Sequence, residues 1–244
     1  MENMRHLELP GTMETAPNER LVFYLAMEEW AVEHTADTFF IWNVDPTVIF
    51  GRNQDMEAEV NVQYCRERGI RMYRRKSGGG CVYSDRGNLM LSYITGERDV
   101  NVAFREYLER LASALRSFGL DTVTTAHNDV LVDGRKVSGN ACYATAGGCI
   151  VHGTLLVDCD FREMERAITP SPEKLESKGI KSVRQRVANL RELGCELSTD
   201  EMKLGIIRYF CNDKVTVSPD EVAVIREIEK SYLDENFIRY GRRV

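Results

Sequence analysis

No stretch of the chain holds the ~18 consecutive apolar residues of a membrane-crossing helix, so no membrane partner is expected. The N-terminal stretch, MENMRHLELPGTMET, lacks the apolar centre of a secretion signal. Basic residues are not in excess: the formal net charge of −6 argues against general nucleic-acid binding. The seven cysteines (65, 81, 142, 149, 159, 195 and 211) are odd in number, scattered, and form no CxxC pair. That excludes a zinc-ligand pattern and a secreted disulfide framework, and points to reduced thiols in a cytoplasmic protein. The common nucleotide and hydrolase signatures are missing too. There is no GxxxxGK[ST] loop, no GxGxxG opening a helix, and no GxSxG elbow. Internal repeats, low-complexity tracts and linkers are also lacking, so one α+β domain over 1–244 is expected.

What is present centres on RRKSGGGCVYSDRGN, 74–88. Gly78, Gly79 and Gly80 let a ligand approach the backbone and reach φ values that other residues avoid. Successive backbone N–H groups in such a turn make a concavity suited to an anion. Arg74, Arg75 and Lys76 precede it and an apolar run follows, which favours a phosphate or carboxylate site over an ordinary surface turn.

Around this motif the spacing predicts a helix over 19–34, with Val22, Leu25, Ala26 and Trp30 on one face and Asn18 as N-cap. Strands are expected over 38–42, 47–50, 70–74, 81–83 and 89–94, with a short helix over 62–68 stopped by Gly69. The clearest helix is 101–118, whose stripe of Phe104, Leu108, Leu111, Leu115 and Phe118 is core. Asp133-Gly134 between two β-like runs in HNDVLVDGRKVSGNA (127–141) signals a hairpin. It places Lys136 near the start of the return strand, and Gly139 beyond it permits close backbone approach. A strand over 149–158 carries His152. The remainder is read as helical, with elements over 161–168, 172–177 and 199–212, a basic loop over 178–184, and a last helix started by the Ser218-Pro219-Asp220-Glu221 capping box. Cys81 and Cys149 are read as small buried hydrophobes.

Five segments in order, PTVIFGRNQ (46–54), RRKSGGGCVYSDRGN (74–88), HNDVLVDGRKVSGNA (127–141), HGTLLVD (152–158) and KGIKSVRQRVANL (178–190), make the chain resemble the lipoate–protein ligase A family of the biotin/lipoate ligase superfamily. The resemblance runs from about 18 to about 240. It implies a mixed-sheet α+β catalytic domain that activates lipoate with ATP and Mg2+ to lipoyl-AMP. The lipoyl group then passes to a lysine of a lipoyl domain of a 2-oxoacid dehydrogenase complex or of the glycine-cleavage H protein. By resemblance Arg75 and the backbone of Gly80, Cys81, Val82 and Tyr83 hold the nucleotide, and Lys136 lies between acyl carbonyl and α-phosphate. Ser77, Gly78 and Gly79 line the acyl end with Gly139, and His152 packs beneath it. Asp129 is a candidate for orienting magnesium or the incoming amine, beside the reading as a structural turn aspartate, and Lys178, Lys181 and Arg184 are candidates for triphosphate, beside the reading as a solvated basic loop.

Longer members carry a C-terminal accessory domain; this chain reaches Val244 just past the last catalytic-domain helix, so the expectation is a catalytic domain without it, with two alternatives open: a separate accessory polypeptide as partner, or use of preformed lipoyl-AMP. Three other readings compete. An ATP-independent octanoyl or lipoyl transferase needs an acyl-cysteine, but no cysteine stands near Ser171 or within 122–128, where such enzymes place it. A non-catalytic lipoate- or carrier-binding subunit is disfavoured by retention of Lys136 and the glycine motif. A biotin–protein ligase is disfavoured by RRxSGGG together with HGTLL.

Overall fold

The computed structural model describes residues 4–11, 20–35, 37–125, 128–170, 184 and 186–241. Among them the strands are β1 (Arg5–Glu8), β2 (Thr38–Trp42), β3 (Thr47–Phe50), β4 (Arg71–Arg74), β5 (Val82–Ser84), β6 (Asn88–Thr95), β7 (Thr122–Thr124), β8 (Asp129–Val132), β9 (Arg135–Ala144), β10 (Cys149–Leu156) and β11 (Asp213–Thr216). The helices are α1 (Leu21–His34), α2 (Met56–Glu59), α3 (Val62–Arg68), α4 (Val100–Ser117), α5 (Phe161–Ala167), α6 (Thr199–Phe210), α7 (Pro219–Leu233) and α8 (Glu235–Tyr240). An eight-stranded sheet runs β11-β1-β2-β6-β10-β9-β8-β7 and a three-stranded one β4-β3-β5. The pairs β1/β11 and β1/β2 are parallel whereas β2/β6, β6/β10 and β9/β10 are antiparallel, so the expected mixed-sheet α+β class holds.

Each face of the large sheet is closed by helices. Leu108, Leu111 and Leu115 of α4 and Met202, Ile206 and Phe210 of α6 pack with Leu91, Tyr93 and Val151 on one face. On the other, α1 packs against Phe40, Ile94 and Ile150, and α7 adds Ile225 and Tyr232. The small sheet has its own core with α3 and α5. The spacing in 19–34 marks one apolar face, but α1 is enclosed on more than one side. Phe23, Met27 and Glu28 are buried along with Val22, Leu25, Ala26 and Trp30. Its N-cap position is Arg20; the Asn18 cap lies outside the described residues, as does the 172–177 helix. The short strands β7 and β11 have no sequence period of their own and owe their form to pairing with β8 and β1, whereas the short helices α2 and α8 are set by the Asp55 and Asp234 N-caps.

Candidate functional site

The glycine turn is built from beneath. Arg75 is buried (6% exposed), and its guanidinium donates to the carbonyls of Gly78 (3.0 and 2.7 Å) and Gly80 (2.8 Å), with a longer bond to Ile49 (3.4 Å). The Gly79 carbonyl faces Gly51, where an added Cβ would stand 2.1 Å from that oxygen. Three successive carbonyls therefore point into the protein. In a trans peptide the N–H lies opposite the C=O, so the N–H groups of Gly79, Gly80 and Cys81 point away from Arg75 and Gly51. Such an array of N–H groups suits an anion, and Gly78, Gly79 and Gly80 are exposed. Gly79 has φ +93°, and an added Cβ would stand 2.7 Å from Arg75 Nη2, so only glycine satisfies both constraints.

Arg75, expected to hold the nucleotide, thus has its donors engaged by the turn itself, which it organises. Burial lowers its pKa to about 10, still a cation at neutral pH. Arg74 works in the same way. It is buried and donates to the carbonyls of Gly51, Arg52 and Gln54 on one side and of Phe237, Ile238 and Arg239 on the other. The second set are last-turn carbonyls of α8, where the helix ladder ends, and that of Phe237 also accepts from Gly241 N–H (2.9 Å). The 46–54 block is therefore the floor of the turn, locked further by Arg52 N–H to Ser77 O (2.9 Å) and Arg75 N–H to Phe50 O (3.0 Å). Val82 and Tyr83 lie on β5, which among the described residues is an edge of the small sheet paired with β3.

Lys136 reaches its position through a β-bulge. In the β8/β9 pair Ser138 faces Val130 while Lys136 faces Leu131, so one extra residue of β9 is inserted. The insertion reverses the alternation and turns Lys136 onto the face of Gly139, opposite Asp129. Lys136 Nζ is 2.7 Å from Asp129 Oδ1, and a Cβ on Gly139 would stand 2.6 Å from Nζ. Gly139 is thus the space the ammonium occupies. The backbone of Lys136 is clamped as well: its N–H donates to Arg186 O (3.0 Å) and its carbonyl accepts from Ala188 (2.9 Å).

Asp129 on β8, the candidate for orienting magnesium or the incoming amine, stands opposite Gly139. Its carboxylate is buried, with one oxygen on Lys136 and the other on Arg186, leaving it as the counter-ion of two cations. Among the described residues no cluster of three His, Cys, Asp or Glu could hold a metal. Arg186 falls in the 178–190 segment but was not singled out within it; the fold carries it back to the hairpin. Lys178 and Lys181 lie outside the described residues, and Arg184 is taken up by Glu192 (2.6 Å) and the Val187 carbonyl (2.9 Å).

His152, on β10, is buried between two partners: Ser77 Oγ at 2.7 Å from Nε2 and Glu28 Oε2 at 2.9 Å from Nδ1. Alongside, Lys76 Nζ pairs with Glu29 (2.6 Å) and lies 4.4 Å from the centre of the Tyr232 ring, whose hydroxyl also bonds Glu29. Burial pushes the thiol of Cys65 up to about 11 and those of Cys81, Cys142 and Cys211 up to about 12, and raises Cys149 and Cys159 too, so none of these is poised as a thiolate.

The outward N–H groups of the glycine turn and the hairpin lysine over a mixed sheet are a layout chemically suited to a phosphate or carboxylate. Residues 21–211 match the model of the lipoyl protein ligase A/B catalytic domain, and the chain belongs to that family. It is 40% identical over 193 residues to lipoate-protein ligase LplJ of Bacillus subtilis, covering 77% of this chain and 58% of that protein. It thus spans less than two thirds of that relative's length. The structure is similar to one from a structural study of an archaeal lipoylation system, a bi-partite lipoate protein ligase and its E2 lipoyl domain from Thermoplasma acidophilum (TM-score 0.83, 28% identity, 99% and 98% of the two chains). It is also similar to lipoate-protein ligase A bound with ATP (TM-score 0.79, 25% identity, 96% and 97%).

Proposed function

We propose that this chain is the single catalytic domain of a lipoate–protein ligase. It activates lipoate with ATP to lipoyl-AMP and passes the lipoyl group to a lysine of a lipoyl domain. The observation that carries the reading is the pairing of the outward N–H groups of Gly79, Gly80 and Cys81 with an ammonium set by the β9 bulge. Negative charge builds on phosphate oxygens as the carboxylate attacks the α-phosphorus, and on the acyl oxygen as the lysine attacks. Fixed donors stabilise both without reorganising. In this reading the glycine turn and the outer edge of β5 hold the phosphate and nucleotide, Lys136 bridges phosphate and acyl carbonyl, and Ser77, Gly78, Gly139 and His152 lie along the acyl end. Magnesium enters with ATP as part of the substrate; the donors around Asp129 do not suit a resident ion, and no step depends on one.

Lipoyl domains of 2-oxoacid dehydrogenase complexes or the glycine-cleavage H protein are the proposed acceptors, in the cytoplasm. The bi-partite Thermoplasma ligase supports a separate accessory polypeptide for the adenylation step. An acyl-cysteine transferase is disfavoured by thiols that burial keeps protonated. No described helix is long and apolar enough to cross a membrane.

Pyrophosphate release with ATP and lipoate, measured for the chain alone and with an accessory-domain polypeptide, tests the first half-reaction. Release in at least one mixture is expected; silence in both contradicts the reading. Gly51→Ala should lift the turn, because its Cβ would meet the Gly79 carbonyl at 2.1 Å. A loss of lipoyl-AMP affinity of about tenfold, roughly one hydrogen bond's worth, is expected by calorimetry with the circular dichroism unchanged.

A further inference from the structure

Glu28 is a fully buried carboxylate inside an apolar helix, and such groups persist only when their oxygens are bonded. Its partners form a chain with one direction. Trp42 Nε1, which can only donate, gives its proton to Ser92 Oγ (3.0 Å), and Ser92 donates to Glu28 Oε1 (2.6 Å). The other oxygen accepts from His152 Nδ1 (2.9 Å), so the imidazole carries its proton on Nδ1. His152 Nε2 is then an acceptor, and its neighbour is the Ser77 hydroxyl (2.7 Å). A serine whose proton goes to a histidine held by a carboxylate is the arrangement that prepares a group to take up a proton.

Its place in the fold adds to this. Ser77 opens the glycine turn. His152 faces Ala141 across the β9/β10 ladder, and Gly139, beside the Lys136 ammonium, lies two residues further on the same face, about 7 Å along the strand. The cation that would polarise the acyl carbonyl and the chain that would take a proton thus share one side of the sheet.

We propose that Ser77, His152 and Glu28 form the proton-accepting relay of the transfer step, a role that rests on the ligase reading. The lysine nitrogen forms the C–N bond to the acyl carbon as one of its N–H protons passes to Ser77 Oγ and the Ser77 proton passes to His152 Nε2. The bond from the acyl carbon to the phosphate oxygen breaks, and its electron pair leaves on AMP. The imidazolium is held against Glu28 until it returns the proton to water. Ser77 is the catalytic residue of the relay, and His152 and Glu28 are positioning residues.

The test joins a spectroscopic and a kinetic readout. The chain has four histidines, so 15N-histidine labelling resolves the tautomer of His152. The wild type should show Nδ1 protonated and Nε2 bare. Glu28→Gln turns an amide N–H toward Nδ1 and should reverse that pattern. Single-turnover transfer from preformed lipoyl-AMP to a saturating lipoyl domain should then fall by about 100-fold, with lipoyl-AMP affinity changed less than about twofold. Ser77→Ala, which leaves the Glu28–His152 pair intact, should show the same loss of rate and covers the case in which the Glu28→Gln protein does not fold. A wild-type Nε2–H tautomer, transfer by Glu28→Gln at the wild-type rate, or an acyl-Ser77 adduct by intact mass would overturn the relay. Wild-type transfer with unaffected variants removes the relay alone; a wild type that modifies no lysine removes the ligase reading and the relay with it.

Discussion

Lys136→Ala is expected to lower lipoyl transfer from supplied lipoyl-AMP by about 10²- to 10³-fold, the scale of losing one fixed donor at a developing oxyanion. The fold should survive, because Asp129 keeps Arg186 and the backbone clamp between Lys136 and residues 186–188 does not involve the side chain. A stability loss of no more than about 1–2 kcal/mol by urea denaturation is expected. Lys136→Arg should fail as well: the ammonium sits in the space a Cβ on Gly139 would fill, and a planar guanidinium does not fit there. Intact mass of the acceptor after a fixed time checks both variants. Transfer by Lys136→Ala within a few-fold of wild type would remove the lysine from its assigned position.

Arg75→Lys has the second large expected effect, and it separates two roles for one side chain. As a phosphate ligand, a lysine would replace arginine at modest cost. As the organiser of the turn it cannot, since one ammonium does not span the carbonyls of Gly78, Gly80 and Ile49. Each carbonyl left unpaired costs about 1–3 kcal/mol, so a loss of about 2–4 kcal/mol in urea denaturation is expected, together with loss of lipoyl-AMP binding by calorimetry. Weakened binding with wild-type stability would instead make Arg75 a direct ligand of the nucleotide.

These two residues show what could be read from the chain and what could not. The Asp133-Gly134 turn and the glycine run are local signals, so the hairpin and the glycine turn were legible, whereas Lys136 was singled out only by the resemblance of its segment, since a hairpin lysine is by itself usually solvated. Which face Lys136 occupies was not legible: the inserted residue between Val130/Ser138 and Leu131/Lys136 exists only in the pairing of two strands. Arg75 was legible as a cation beside the glycines, but a cation that binds a ligand and one that binds carbonyls look alike in sequence. The neighbours that decide, Gly51 and Ile49, arrive from another strand. Glu28 could have been flagged, because an acidic residue flanked by Ala26, Met27 and Trp30 in an apolar helix signals a buried, partnered carboxylate. Its partners on β6 and β10 lie 64 and 124 residues away in sequence, beyond any local period.

The C-terminal helices position the site as well as closing the core. Arg74 is gripped by the last carbonyls of α8, and Lys76 lies against Tyr232 of α7, so both flanks of Arg75 are held by residues beyond 211, where the family match ends. The glycine turn is thus fixed from three sides: by β3 and Gly51 beneath, by α1 through Glu28 and Glu29, and by α7 and α8 behind.

Intact-mass measurement of a lipoyl domain incubated with this chain and preformed lipoyl-AMP, without ATP, tests the central claim most directly. The expected result is a gain of one lipoyl group on a single lysine of the domain, slowed by about 10²- to 10³-fold in the Lys136→Ala protein. A lipoyl domain of unchanged mass, while the chain binds lipoyl-AMP by calorimetry, would contradict the account and make this protein a binding subunit.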